Sequence, residues 1–283
     1  MNYTSMRLSI VTIIAIFFFL QELTYSHDSP ALNRVLAAPD PERPTVLITG
    51  SNRGIGFAFV KHYSKDGWNV IATCRNPNQA EGLKTLSKNF SNIFIEEMDV
   101  TDLEEITHLA QKYKDIPVDI LINNAGILGN LNKQSFGELN YELFQKIMAV
   151  NTFGPLKVAE IFAENVAISD QKKIVSMTSG LGSMAIMGNS ERFYFYRMSK
   201  SALNMGVLAL NASLKPRGVI AALISPGMVD TQLLDESGYR GNNKVSPEES
   251  VAGFIKVIDS ISLETMKKTR GRPTNFDEMI LPW

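Results

Sequence analysis

From residue 45 onward, short apolar runs alternate with longer amphipathic segments, and this alternation limits what the chain can fold into more than any other feature. The apolar runs fall at 46–48, 70–72, 93–98, 120–122, 173–177 and 219–224. Segments of helical period separate them at 57–65, 80–88, 103–114, 141–166 and 195–214. Strands divided by helices of that length cannot pair as hairpins. They pair side by side in parallel through right-handed crossovers, which predicts an α/β fold: a doubly wound parallel sheet with helices on both faces, in a single domain. No internal repeat or low-complexity tract interrupts the rhythm. Ligands of such sheets bind beyond the carboxyl ends of the strands, where the strand order reverses. Chemistry is therefore expected in the segments that directly follow the strands.

A chain of 283 residues holds one such domain, placed at 45–283, and little else. Before it, residues 1–26 carry Arg7 and then an apolar stretch at 8–20, the pattern of a targeting segment. That stretch is shorter than the roughly 20 residues a bilayer requires, so a cleaved secretory signal is favoured over a permanent anchor, with Thr24-Tyr25-Ser26 as the cleavage site. Secretion or residence in the secretory pathway is the expectation. An organelle or a tethered form is the alternative, with membrane contact only through an uncleaved leader. Residues 27–44, rich in Pro, Ala and Asp, read as a linker. With 28 basic and 29 acidic residues, the net charge of −1 offers nothing to a nucleic acid. Cys74 is the only cysteine, so no internal disulfide can form. His27, His62 and His108 are scattered without metal-ligand spacing, and no metal site is expected.

Directly after the first apolar run stands Thr49-Gly50-Ser51-Asn52-Arg53-Gly54-Ile55-Gly56, which then opens a helix. Gly50 suits a tight turn, Gly54 the approach of backbone to a phosphate and Gly56 close packing of helix on strand. The helix start offers unpaired N–H groups to an anion. The spacing resembles the T-G-x-x-x-G-x-G turn of the short-chain dehydrogenase/reductase family, whose fold is the Rossmann type. That resemblance implies a nicotinamide cofactor, chosen at the end of the second strand, where an acid holds the ribose hydroxyls of NAD and a base receives the extra phosphate of NADP. Here Cys74-Arg75 stands at that end, with Arg53 in the turn, so NADP(H) is the cofactor expected. Further on, Asp99 and Val100 match the family's adenine-side element, and Asn123-Asn124-Ala125-Gly126 its N-N-A-G element, whose small residues let the backbone lie against the cofactor and whose first Asn ties neighbouring strands together, so that Asn123, Ala125 and Gly126 are its implied cofactor-side residues. Pro226, Gly227, Val229 and Thr231 match the segment that flanks the nicotinamide.

Tyr196 and Lys200 are four residues apart, which places a phenol and an ammonium on one helix face. A free tyrosine, with a pKa of about 10, is a reluctant acid at neutral pH, and a neighbouring cation is expected to lower that value. In the family the tyrosine protonates the carbonyl oxygen as hydride arrives, while the lysine also holds the nicotinamide ribose. Ser179 matches the serine that binds the substrate carbonyl, with Ser183 as its rival. The long interval from Ser179 to Tyr196 points to an insertion around 189–193. Asn151 matches the helical asparagine that supports a proton relay to the lysine. As a residue inside a helix, it could equally pair with nearby backbone.

The C-terminal run from Gly271 to Pro282-Trp283 resembles that of the C-factor and sniffer-like carbonyl reductases. The implied activity is NADPH-dependent reduction of a small aldehyde, ketone or quinone, with the segments at 181–195 and 228–243 shaping the pocket. A small-molecule carbonyl substrate and a homo-oligomeric state, dimer or tetramer, follow from the same resemblance. Two alternatives stay open: a C-factor-like signalling protein that binds NAD(P) with little turnover, and an NAD-dependent alcohol dehydrogenase. Two Asn-X-Ser sequons occur, at 89–91 and 211–213, the second on the predicted Tyr/Lys helix, where a glycan is hard to fit.

Overall fold

A computed structural model describes residues 38–188 and 190–283. The expected leader at 1–26 and the linker as far as residue 37 lie outside the described residues. Seven strands form one sheet in the order β3-β2-β1-β4-β5-β6-β7, and every neighbouring pair is parallel. They are β1 (Thr45–Ile48), β2 (Asn69–Cys74), β3 (Ile93–Glu97), β4 (Ile120–Asn123), β5 (Lys173–Met177), β6 (Ile220–Ser225) and β7 (Thr274–Asn275). The helices are α1 (Gly54–Lys65), α2 (Glu81–Asn89), α3 (Leu103–Lys112), α4 (Tyr141–Met148), α5 (Gly154–Ile161), α6 (Ala163–Ala167), α7 (Tyr194–Leu214), α8 (Gln232–Glu236), α9 (Pro247–Ser260) and α10 (Leu263–Thr269). Pro39–Trp283 forms one compact unit.

Side-chain alternation along the strands divides the core in two. Val46, Ile48, Val70, Ala72, Ile122 and Ala222 face a layer that includes Phe59 of α1 and Phe254 of α9, whose rings meet edge to face at 5.2 Å. Leu47, Ile71, Leu121, Ile174 and Ala221 point the other way, onto Ile106 of α3, Val158 of α5 and Leu203 of α7. Both faces are covered, which is why the central strands read as continuous apolar runs. The strand order reverses between β1, which leads to β2, and β4, which leads to β5. The loops after β1 and β4 therefore lie side by side at the switch point.

The expected long helix over 141–166 is instead four pieces, with a π-type turn at Ala149–Phe153 between α4 and α5. Pro155 has no N–H for the Asn151 carbonyl four residues back, and the Gly154 N–H reaches the Ala149 carbonyl, five residues back. At this bend α5 comes close to the segment after β3: a Cβ on Gly154 would lie 2.9 Å from the Val100 carbonyl oxygen. The apolar runs and helical-period segments of the sequence end at residue 224, so they mark none of α8, α9, α10 and β7. The start of α9 was nevertheless legible, since Ser246 caps the Glu249 N–H and Pro247 takes the first turn. Among the described residues, no helix is long and apolar enough to cross a membrane.

Candidate active site

The loops after β1, β4 and β6 converge at the switch point. Gly50 sits at φ +66° with its α-carbon against Ala125, where a Cβ would come within 2.9 Å of the Ala125 backbone. Gly56 is tighter still: a Cβ there would fall 2.6 Å from the Asn124 amide nitrogen. That amide donates to the carbonyls of Thr49 (2.8 Å) and Gly50 (2.9 Å), while the Thr49 hydroxyl accepts from the backbone N–H groups of Asn124 and Ala125. The glycine turn and the Asn123-Asn124-Ala125-Gly126 element are thus one hydrogen-bonded unit. Ser51 is buried and donates to the Thr73 carbonyl at the end of β2; Asn52 and Arg53 are exposed, and Ile55 is half-buried. Thr231 approaches from the β6 side, its methyl 3.4 Å from where a Gly54 Cβ would stand. It also caps α8 by accepting from the Leu234 N–H.

This cradle fits a dinucleotide. Helix α1 starts without a side-chain cap, since Arg53 at its N-cap makes no such bond, so its first N–H groups are available to a phosphate. Arg75 stands exposed beyond β2, next to the strand that leads into the Arg53 turn. The Arg53 guanidinium donates to the Gln232 side chain of α8, a contact absent from the sequence reading. Asp99, after β3, spends one carboxylate oxygen on the Thr101 N–H and hydroxyl, and Val100 is buried. Asn123 reaches across to the Ser176 hydroxyl (3.4 Å) and the Pro155 carbonyl (3.1 Å). In the β6 loop, the Pro226 carbonyl accepts from Ser250, and Gly227 adopts φ +77° beneath the Phe276 ring. Val229 is buried and bridges to Val245.

The reacting pair lies beside this cradle. Tyr196 and Lys200 are buried on α7, with the Lys200 Nζ 5.8 Å from the Tyr196 ring centre. Burial pushes the Tyr196 phenol up to about 12, against a hydrogen bond from Ser179 that lowers it. Burial here outweighs the lowering expected from a neighbouring cation, so the net shift is upward. The ammonium is aimed at the Met177 carbonyl (2.8 Å), and desolvation dominates; it also brings Lys200 down to about 8. Of the two rival serines, Ser179 faces the phenol, while Ser183 turns inward and accepts from the Ile186 N–H. Asn151 makes no hydrogen bond to either Tyr196 or Lys200. Its amide pairs with both backbone groups of Ile127 (2.9 Å each) and with the Ser199 hydroxyl (3.0 Å), and Gly126 lies between it and the Lys200 Nζ.

A cleft of about 450 Å³ opens between the loop after β4 and α8, lined by Gly129, Asn130, Leu131, Asn132 and Glu236. Buried Gln134 lies behind that wall, and no pattern in its surroundings marked it in the sequence. Among the described residues, no group of three His, Cys, Asp or Glu could hold a metal ion.

Known proteins share this fold. The chain is similar to the NADPH-bound carbonyl reductase from chicken fatty liver, at 28% identity and a TM-score of 0.76, over 85% of this chain and all of that one. It is similar to the carbonyl reductase Sniffer of D. melanogaster at 27% identity and a TM-score of 0.75, with the same coverage. The C-signal protein of Myxococcus xanthus is 32% identical over 168 residues, which span 59% of this chain and 93% of that protein. The model of the short chain dehydrogenases matches residues 44–240. Because that match runs from the start of β1 through the glycine turn and the Tyr196 helix to the loop beyond α8, the chain belongs to the short chain dehydrogenase family.

Proposed function

We propose that this oxidoreductase uses NADPH to reduce the carbonyl group of a small aldehyde, ketone or quinone, with Tyr196 as the general acid. The single observation that carries the reading is the buried Tyr196 phenol held by Ser179, with the Lys200 ammonium alongside and the glycine cradle adjoining. The NADPH named for the chicken enzyme supports the cofactor, as do Arg53 and Arg75. Gly50, Gly54, Ala125, Gly126 and Thr231 would hold its phosphates and ribose, Asp99 and Val100 its adenine side, and Pro226, Gly227 and Val229 its nicotinamide end. When bound, the cofactor supplies the hydride that the carbonyl carbon accepts.

The protein's own part is to orient the carbonyl and deliver a proton. At neutral pH a phenol pushed up to about 12 is fully protonated, so the acid form is present. When a carbonyl binds, the one Ser179 hydroxyl proton would turn from the phenol to the carbonyl oxygen and polarise it as the Tyr196 proton crosses to that same oxygen. The phenolate left behind is stabilised by the Lys200 cation, which a pKa of about 8 keeps mostly charged at pH 7. Asn151 braces this arrangement from below through Ile127 and Ser199.

Oxidation of NADPH and NADH, followed side by side with a panel of quinones and aldehydes, tests the reading. We expect NADPH turnover that falls at least about a thousandfold in Tyr196→Phe. Equal use of both cofactors would remove the assigned role of the two arginines. The similarity to C-signal favours a second reading, a signalling protein that binds the nucleotide with little turnover. Survival of biological activity in Tyr196→Phe would select it. We also propose a homodimer paired through α5 and α7: α7 exposes Met198 and Met205, and Phe153 is exposed just ahead of α5. Sedimentation at the mass of one chain would remove that proposal.

A further inference from the structure

Helix α7 carries the phenol and the ammonium, yet nothing in its own segment caps its start. Phe193, at the N-cap, makes no side-chain bond to the first turn and sits in the left-handed region at φ 67°, where a bulky side chain is strained. The third N–H of the helix is that of Tyr196 itself, and it donates to the side-chain oxygen of Gln134, 62 residues upstream (3.2 Å). Gln134 is 1% exposed. Its amide nitrogen donates to the Leu128 carbonyl (2.9 Å) and, at longer range, to the Asn130 carbonyl (3.4 Å). One buried amide thus uses its acceptor on the catalytic helix and its donors on the loop whose Gly129, Asn130, Leu131 and Asn132 form a wall of the cleft.

We propose that Gln134 is a positioning residue: it replaces the missing cap of α7, fixes where that helix begins and so holds the Tyr196 phenol in register with Ser179 and with the loop after β4. The proposal rests on the reductase reading for its catalytic consequence, while the cap itself stands on geometry. A one-residue slip at the helix start would rotate the phenol by about 100° away from Ser179. The loop after β4 cannot shift without drawing on the same amide. The start of the catalytic helix and the cleft wall thus share one hydrogen-bonded amide.

The test compares Gln134→Leu with Asn165→Leu. Asn165 is also a buried amide, donating to the Tyr113 and Ile116 carbonyls (2.8 and 2.9 Å) near the amino end of β4, remote from the reacting groups. Both variants are studied at a temperature where both are fully folded. In Gln134→Leu, amide hydrogen exchange at 194–198 should quicken by about tenfold or more while that of 204–214 holds. With a carbonyl substrate, kcat should fall about tenfold, the KM for NADPH should stay within about twofold, and the solvent isotope effect on kcat should grow as proton delivery becomes slower. Asn165→Leu should leave all three unchanged. Unaltered exchange at 194–198 overturns the cap whatever the activity. Faster exchange with unaltered kcat and isotope effect overturns the positioning role. A wild-type protein that oxidises NADPH with no carbonyl in the panel defeats the reductase reading and with it the catalytic role, and the exchange result then stands as the measure of the cap alone.

Discussion

Lys200 shows how a single side chain can work against the fold for the sake of the site. It is 4% exposed, its Nζ has the Met177 carbonyl as its hydrogen-bond partner, and burial brings it down to about 8 from the ordinary lysine value. A group whose folded pKa is depressed binds fewer protons in the folded chain than in the unfolded one between those two values. Stability therefore rises with pH from about 8 to about 10.5, and the full penalty, on the order of 3 kcal/mol, is present below that window. Lys200→Met, of similar length and without charge, should unfold at a higher urea concentration than wild type at pH 7 and lose that advantage as the pH approaches 10.5. The same substitution should abolish reductase activity. Activity of the wild type should decline as the pH passes about 8, since the cation that stabilises the Tyr196 phenolate is then lost. Urea titrations at pH 7 and pH 10 suffice, and equal midpoints for the two proteins at pH 7 would refute the penalty. Tyr196 carries the opposite sign: its raised value makes the folded chain the better proton binder above pH 10, so stability should fall there.

The π-type turn between α4 and α5 is the element that brings Asn151 inward. Its extra residue turns the asparagine towards Ile127 and Ser199, and Gly154 directly after it lets α5 pass against Val100. Gly154→Ala would place a methyl 2.9 Å from both the Val100 side chain and its carbonyl oxygen. We expect a loss of about 1–3 kcal/mol, seen as a lower urea midpoint with unchanged slope. A gain, as an ordinary helical Gly→Ala exchange would give, would show that the approach to Val100 can relax. The sequence revealed these elements unevenly, for physical reasons. Fully buried parallel strands declare themselves as apolar runs, and the glycine turn declares itself because backbone contacts such as Gly56 on Asn124 admit no side chain. The π turn leaves no periodic mark beyond Pro155 within a helical pattern. Gln134 acts over 62 residues of sequence, so no local pattern could show it. Strand β7 has only two residues, Thr274 and Asn275, and pairing with β6 rather than any propensity defines it.

On the scale of the whole molecule the sheet has a chemical end and a plain end. The cradle, the reacting pair and the cleft lie at the carboxyl ends of the strands, and the opposite end is free to carry other features. One of the two sequons lies there. Asn89 ends α2 just before β3 begins, Asn89 and Ser91 are both exposed, Phe90 between them is extended (φ −131°), and the Asn89 amide has no hydrogen-bond partner among the described residues. Asn211 differs: it lies within α7, and its side-chain oxygen accepts from the Ala221 N–H at 3.0 Å, holding that helix to β6. If residues 1–26 direct the chain into the secretory pathway, one glycan is expected, on Asn89 and not on Asn211. Expression of the full chain in a eukaryotic cell, with N-terminal sequencing and glycosidase treatment, separates the steps. The expected product begins after residue 26, loses one glycan's mass on treatment, and loses the modification altogether in Asn89→Gln. A cleaved but unmodified chain removes the glycan alone, whereas an intact N-terminus without glycan removes the secretory reading as well. Carbonyl reduction should be equal with and without the sugar, because Asn89 and Tyr196 stand at opposite ends of the sheet.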